Sequence, residues 1–166
     1  FDELETAAGD VSTLIYNAAV LTRGPFLDLT LAQFDESWQT IARGAFLCAQ
    51  RVLPPMVKAQ RGTLVFTGAT ASIRGGVSFG AFASAKFALR GLAQSLAREF
   101  GPQGIHVAHT VIDGLIWCPQ TRERFDPLQK SCIEPDAIAK EYWNLITQDR
   151  SARTHELDLR TESEKF

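Results

Sequence analysis

Nothing in these 166 residues approaches the ~18 to 20 consecutive apolar residues that a membrane-spanning helix requires. Concentrated positive charge is missing too. Seventeen Lys and Arg stand against nineteen Asp and Glu, and the basic residues are scattered apart from Arg122-Glu123-Arg124, which carries its own acid. Nucleic acid and membrane surfaces, which recruit proteins through basic patches, are therefore not expected partners. Cysteine is scarce, with Cys48, Cys118 and Cys132 far apart and odd in number. That pattern supplies neither a disulfide framework nor metal-ligand spacing, so no metal is expected and a reducing cytoplasm is the expected compartment. A leader is not visible either: the sequence opens on Phe1, without a charged start followed by an apolar stretch.

The composition that remains, 45% hydrophobic and 22% charged, fits a single folded domain over residues 1–166. Residues 1–9 read as the end of a helix closed by Gly9. A domain seldom begins partway along a helix, so an N-terminal portion is expected to precede Phe1. Val11–Tyr16 and Gly62–Thr67 are short apolar runs of the kind buried in parallel sheets, and Ile105–Val111 is a third. Between them, Phe34, Trp38, Ile41, Ala45, Ala49, Val52 and Met56 recur at helical spacing, predicting a helix from about Leu31 to Lys58. Pro54-Pro55 is expected to end or kink it. A second long helix is predicted from Ala81 to Phe100, stopped by Gly101-Pro102. Gly68–Gly80 reads as a loop, Asp113-Gly114 as a turn, and Cys118–Glu134 as polar and irregular. A helix from Pro135 to about Ile146 and a short strand over Glu156–Leu159 complete the order.

Strands alternating with long helices mean an α/β fold with a parallel sheet, right-handed crossovers and helices on both faces. Val11–Tyr16 would form an apolar edge of that sheet, which upstream strands are expected to cover.

Specific motifs begin at Asn17. Asn17-Ala18-Ala19 follows a strand, Leu53-Pro54-Pro55-Met56 ends a helix, and Gly101-Pro102-Gln103-Gly104-Ile105-His106-Val107 enters a strand. Between them lies Phe82-Ala83-Ser84-Ala85-Lys86. In order and spacing these resemble the Asn-Ala-Gly turn, the Leu-Pro-x-Met helix end, the Gly-x-x-Gly-Ile-x-Val strand entry and the Tyr-x-x-x-Lys motif of short-chain dehydrogenases/reductases. The resemblance covers roughly residues 1 to 120. It implies a Rossmann-like doubly wound sheet whose first βαβ units are missing from this chain.

The same resemblance implies a proton-transferring tyrosine beside a lysine, a serine thirteen residues upstream and an asparagine in the preceding long helix. Lysine falls on Lys86. Tyrosine falls on Phe82, serine on Ala69 and asparagine on Ile41, so three of four polar roles are held by apolar side chains. General acid–base assistance is typically worth ~10² to 10⁴ in rate, and a benzyl ring supplies none of it. Asp113, where the family usually has proline, is a speculative base, with a turn aspartate as the plainer alternative. Thr67, Thr70 and Ser72 either bond a ligand or satisfy loop backbone. Tyr16 is either a phenol near the cofactor or a core tyrosine, and Cys118 replaces a threonine that would hold a carboxamide. Three residues apart on one strand, His106 and His109 point to opposite faces and cannot share a metal.

By resemblance the cofactor is NAD or NADP, and its nicotinamide side falls on Asn17, Ala18, Lys86, Gly114 and Ile116. The glycine-rich phosphate turn is not among these residues. Two functions follow. One is an NAD(P)-dependent oxidoreductase with an atypical active site, acting on a small alcohol or carbonyl compound in a pocket made apolar by Phe79, Phe82 and Trp117. The other is a catalytically silent binding or assembly subunit. In either case the resemblance implies a homodimer or homotetramer built through the two long helices.

Overall fold

The computed structural model describes residues 1–162. Its elements in chain order are α1 (Asp2–Ala8), β1 (Thr13–Tyr16), α2 (Leu31–Trp38), α3 (Gly44–Lys58), β2 (Gly62–Thr67), α4 (Gly80–Phe100), β3 (Ile105–Asp113), β4 (Leu115–Ile116), α5 (Pro119–Phe125), β5 (Cys132–Ile133), α6 (Pro135–Ile146) and β6 (Glu156–Arg160). Four strands pair in the order β1-β2-β3-β6, all parallel, while β4 and β5 form a separate two-stranded parallel pair. This is the α/β parallel architecture expected from the alternation of apolar runs and helical periods. β1 is an edge of the sheet, with Ile15 44% exposed.

Strand alternation divides the interior in two. Leu64, Phe66, Ile105 and Val107 face α3 and α4, where they pack with Ile41, Ala45, Val52, Ala85 and Leu89. Val65, Ala108 and Ile112 face the other way and pack with Ile138, Tyr142 and Leu145 of α6. His106 and His109 obey the same alternation. His106 Nε2 lies 2.8 Å from the Thr154 carbonyl. His109 stands 3.4 Å from the Glu156 carboxylate, and burial pushes its pKa down to about 4.

The long helix expected from about Leu31 to Lys58 is interrupted, a break that its apolar spacing does not announce. Residues Gln39–Arg43 form one π turn between α2 and α3. The wider turn frees the Thr40 carbonyl, and the Tyr16 hydroxyl donates to it. Tyr16 is thus a buried core tyrosine. Pro54 and Pro55 do not end α3, which runs past both to Lys58. They sit in its last turns, so only the carbonyls of Gln50 and Arg51 lose their helical donors.

Two further segments differ from expectation. β3 continues to Asp113, which pairs with Arg160 of β6, so Asp113 is a strand residue and not a turn. Within Cys118–Glu134, expected to be irregular, Pro119–Phe125 is helical and Cys132–Ile133 is a strand. The turn into β3 is as expected: Gly104 takes φ 88, where a side chain would also strike the Gln60 carbonyl.

Candidate active site

A cavity of about 710 Å³ opens beyond the carboxyl ends of β1, β2 and β3. Open parallel sheets offer ligands a crevice at that end. Its wall includes Asn17, Thr67, Gly68, Ala69, Thr70, Phe79, Phe82, Lys86, Gly114, Ile116 and Cys118. Most residues singled out in the sequence are therefore brought together. Ala18 is not in the wall, where Ala19 takes its place. Trp117 is also outside it and instead carries the Arg122 guanidinium over its ring at 5.2 Å. Phe125 supplies an aromatic wall in its stead.

Phe82 and Lys86 share one face of α4 because four residues make slightly more than one helical turn. Both are buried, at 8% and 3% exposure. The Lys86 ammonium lies 5.6 Å from the centre of the Phe82 ring and donates a 2.6 Å hydrogen bond to the Thr67 carbonyl. An ammonium has three donors, so two remain for the cavity. Burial lowers the Lys86 pKa to about 8, because removing water penalises the charged form. Phe82 in turn packs against Phe79, with ring centres 6.4 Å apart.

No tyrosine lines this cavity. Tyr16 is committed to Thr40. Tyr142 belongs to the core on the opposite side of the sheet, and its hydroxyl is 2.7 Å from Thr67 Oγ1. Ile41 is fully buried within the π turn. Ala69 lines the cavity, and its backbone N–H donates to Ser72 Oγ, so Ser72 serves the loop backbone.

Asp113 reaches the cavity only through another residue. It is 3% exposed, accepts a hydrogen bond from the Thr70 hydroxyl, and has Arg160 at 3.3 Å and Arg74 at 3.9 Å. With both oxygens engaged, it anchors the Thr70 loop to the end of β3. The Thr121 hydroxyl, 3.1 Å from Cys118 Sγ, draws that thiol below its usual pKa. Among the described residues no three His, Cys, Asp or Glu gather as a metal site, and no helix is long and apolar enough to cross a membrane.

Among the cavity residues that sequence reasoning passed over, two are charged, Arg23 and Arg74. Arg23 follows the Asn17 turn by six residues and Arg74 lies inside the glycine-bearing loop. Both segments border the crevice, which was the available signal.

The surroundings fit a nicotinamide group. A buried lysine keeps spare donors for a ribose, Asn17 and Ile116 line the same cavity, and Gly114 takes φ 151, a conformation that a side chain would strain. Such a group would bring the capacity to give or take a hydride.

Comparisons with known proteins point the same way. A sequence model of the short chain dehydrogenase family matches residues 1–125. The 3-alpha-(or 20-beta)-hydroxysteroid dehydrogenase of Mycobacterium tuberculosis is 33% identical over 120 residues, covering 72% of this chain and 46% of that protein. The chain thus spans about half the length of the curated relatives it matches. A crystal structure of a short-chain dehydrogenase from Rhodopseudomonas palustris is 36% identical with a TM-score of 0.79, covering 96% of this chain and 66% of the other. An alcohol dehydrogenase from the archaeon Thermococcus sibiricus, complexed with 5-hydroxy-NADP, shares the fold at 21% identity and a TM-score of 0.86, covering 99% of this chain and 68% of that one.

Proposed function

The chain belongs to the short-chain dehydrogenase family, and from that premise we propose that it forms the substrate and nicotinamide side of an NAD(P)-dependent oxidoreductase in which Lys86, not a phenol, carries the proton. The substrate is a small alcohol or carbonyl compound. The observation that carries this reading is the Lys86 ammonium, buried in the cavity wall with two uncommitted donors, where the neighbouring residue offers only a benzyl ring.

With a pKa of about 8, Lys86 holds its proton near neutral pH and is acidic enough to release it, the balance that general acid catalysis favours. One Nζ–H bonds the substrate oxygen. As negative charge builds on that oxygen, the proton passes to it, and the neutral amine regains a proton from water. Phe79 and Phe82 keep water from the reacting oxygen and present an apolar wall to the substrate. Asn17, Gly114, Ile116 and Lys86 itself are the residues that would hold the nicotinamide and its ribose.

A cytoplasmic setting accords with three unpaired cysteines. Association as a homodimer or homotetramer through α3 and α4 accords with the apolar side chains Phe46, Leu47 and Phe87 on their outer faces, 44 to 49% exposed.

Titrating the intact protein with NADH and NADPH tests the reading. One of them is expected to change its nicotinamide fluorescence and to support slow reduction of aldehydes or ketones. Phe82→Tyr combined with Ala69→Ser is expected to raise that rate by ~10² or more, restoring a phenol and a hydroxyl at the carbonyl. Failure of both cofactors to bind would refute the oxidoreductase assignment. Turnover that survives Lys86→Met unchanged would refute the role given to Lys86.

A further inference from the structure

Every charged side chain in the cavity wall is a cation: Arg23, Arg74 and Lys86, with no carboxylate lining it among the described residues. Lys86 already has an assigned partner. The two arginines have no ligand group assigned to them. We propose that they select a substrate bearing an anionic group, a carboxylate several atoms from its reacting carbonyl. This deepens the oxidoreductase reading and rests on it.

Arg23 is exposed but rests against an aromatic ring of the cavity wall. Its guanidinium stacks over the Phe79 ring at 5.2 Å, and Phe79 packs against Phe82. The next residue, Gly24, donates its N–H to the Ser78 carbonyl at 2.9 Å, which ties the Arg23 loop to the loop leading into α4. A cation over a ring face keeps its N–H donors available, and a guanidinium can offer two of them to one carboxylate. Arg74, 57% exposed, has only the long 3.9 Å approach to Asp113, whose carboxylate is met more closely by Arg160 and by the Thr70 hydroxyl. Its charge is thus incompletely answered by the protein.

The contacts assign Arg23 to the substrate and not to the cofactor: it connects to the reacting position through Phe79, which packs on Phe82. Two ring contacts separate its guanidinium from Phe82, so the acid group sits well away from the carbonyl. An α-keto acid, with the two groups adjacent, would be too short. A ketone with a spacer of three or more carbons spans the interval.

Matched probes test this: 5-oxohexanoate and its methyl ester, which differ by one charge. Binding to the intact protein is measured by calorimetry, with NADPH and NADH titrated separately. The carboxylate is expected to bind about 10- to 100-fold more tightly than the ester, as charge-assisted hydrogen bonds would give. Arg23→Gln with Arg74→Gln should reduce that preference to within about threefold while leaving cofactor binding intact. Both arginines are exposed, so the variant keeps its core. Equal affinity for acid and ester, or a preference that survives the double variant, overturns the proposal. So does a double variant that loses cofactor affinity and keeps the acid preference. Because calorimetry reads binding without turnover, a failed oxidoreductase assignment shows separately, as absent cofactor binding.

Discussion

Replacing Lys86 by methionine should stabilise the protein at neutral pH and flatten its response to alkali. The side chain is 3% exposed, and burial alone lowers its pKa from 10.5 to about 8. A folded-state pKa depressed by about 2.5 units means that the unfolded chain binds the proton more tightly. At 1.36 kcal/mol per unit, holding the charge inside costs about 3 kcal/mol at pH 7. That cost disappears as pH rises from about 8 towards 10.5, because the folded lysine becomes neutral while the unfolded one is still charged. Linkage therefore gives the wild type about 2 kcal/mol of stability, from this residue, between pH 7 and 9.5. Methionine has similar length and no charge, but it abandons the hydrogen bond to the Thr67 carbonyl, a loss of about 1 to 2 kcal/mol. The variant should thus be more stable by about 1 to 2 kcal/mol at pH 7, and the advantage should vanish or reverse by pH 9.5. Urea unfolding of both proteins at the two pH values, without cofactor, measures it. Subtracting variant from wild type removes all other titrations. A difference that stays constant within ~0.5 kcal/mol across that range would show that Lys86 carries no buried charge, and its proposed chemistry would fall with it.

Two further outcomes follow from contacts elsewhere. At Gly44 a methyl group would overlap the Tyr16 hydroxyl, so Gly44→Ala should cost about 1 to 3 kcal/mol, and Tyr16→Phe in the same chain should recover a substantial part. Strict additivity of the two changes in urea unfolding would show that they do not meet. Arg90 makes two hydrogen bonds to Glu156, at 2.6 and 2.8 Å, and this holds the Glu156 carboxyl below its usual pKa. A double-mutant cycle with Arg90→Gln and Glu156→Gln should give a coupling below about 1 kcal/mol at pH 7, the pair being partly solvated. Since a depressed carboxyl contributes stability above its unfolded pKa, that coupling should fade as pH drops below 4.5, and a coupling unchanged at pH 3 would contradict the assignment.

What could be read from the sequence, and what could not, divides along a physical line. Strands β1, β2 and β3 and helices α4 and α6 were legible because each buries a continuous or periodic apolar face, and burial is what selects those residues. α5 was not, because Pro119-Gln120-Thr121-Arg122-Glu123-Arg124-Phe125 has no buried residue and hence no stripe. Only Pro119 at its first turn and the helix-favouring Gln, Arg and Glu could have announced it. The end of β3 misled for the opposite reason. Asp-Gly is ordinarily turn chemistry, and a carboxylate is rarely placed inside a sheet. Asp113 stays there because Thr70 and Arg160, 43 and 47 positions away, answer its oxygens. Such compensation is visible only once the chain has folded.

The same distinction applies to the candidate site. The substitutions at Phe82, Ala69 and Ile41 could be counted along the chain, but their consequence depended on which polar groups the fold would move in to replace them. None of the phenols moves in: Tyr16 is spent on the π turn and Tyr142 lies behind the sheet. Had either approached Lys86, the ammonium would have had a phenolate to stabilise, and its pKa would have been held up by that partner. Instead it faces a ring, one backbone carbonyl and a cavity, and burial alone sets its acidity. A lysine that serves a tyrosine has its proton held in place; this one is left with a proton it can give away.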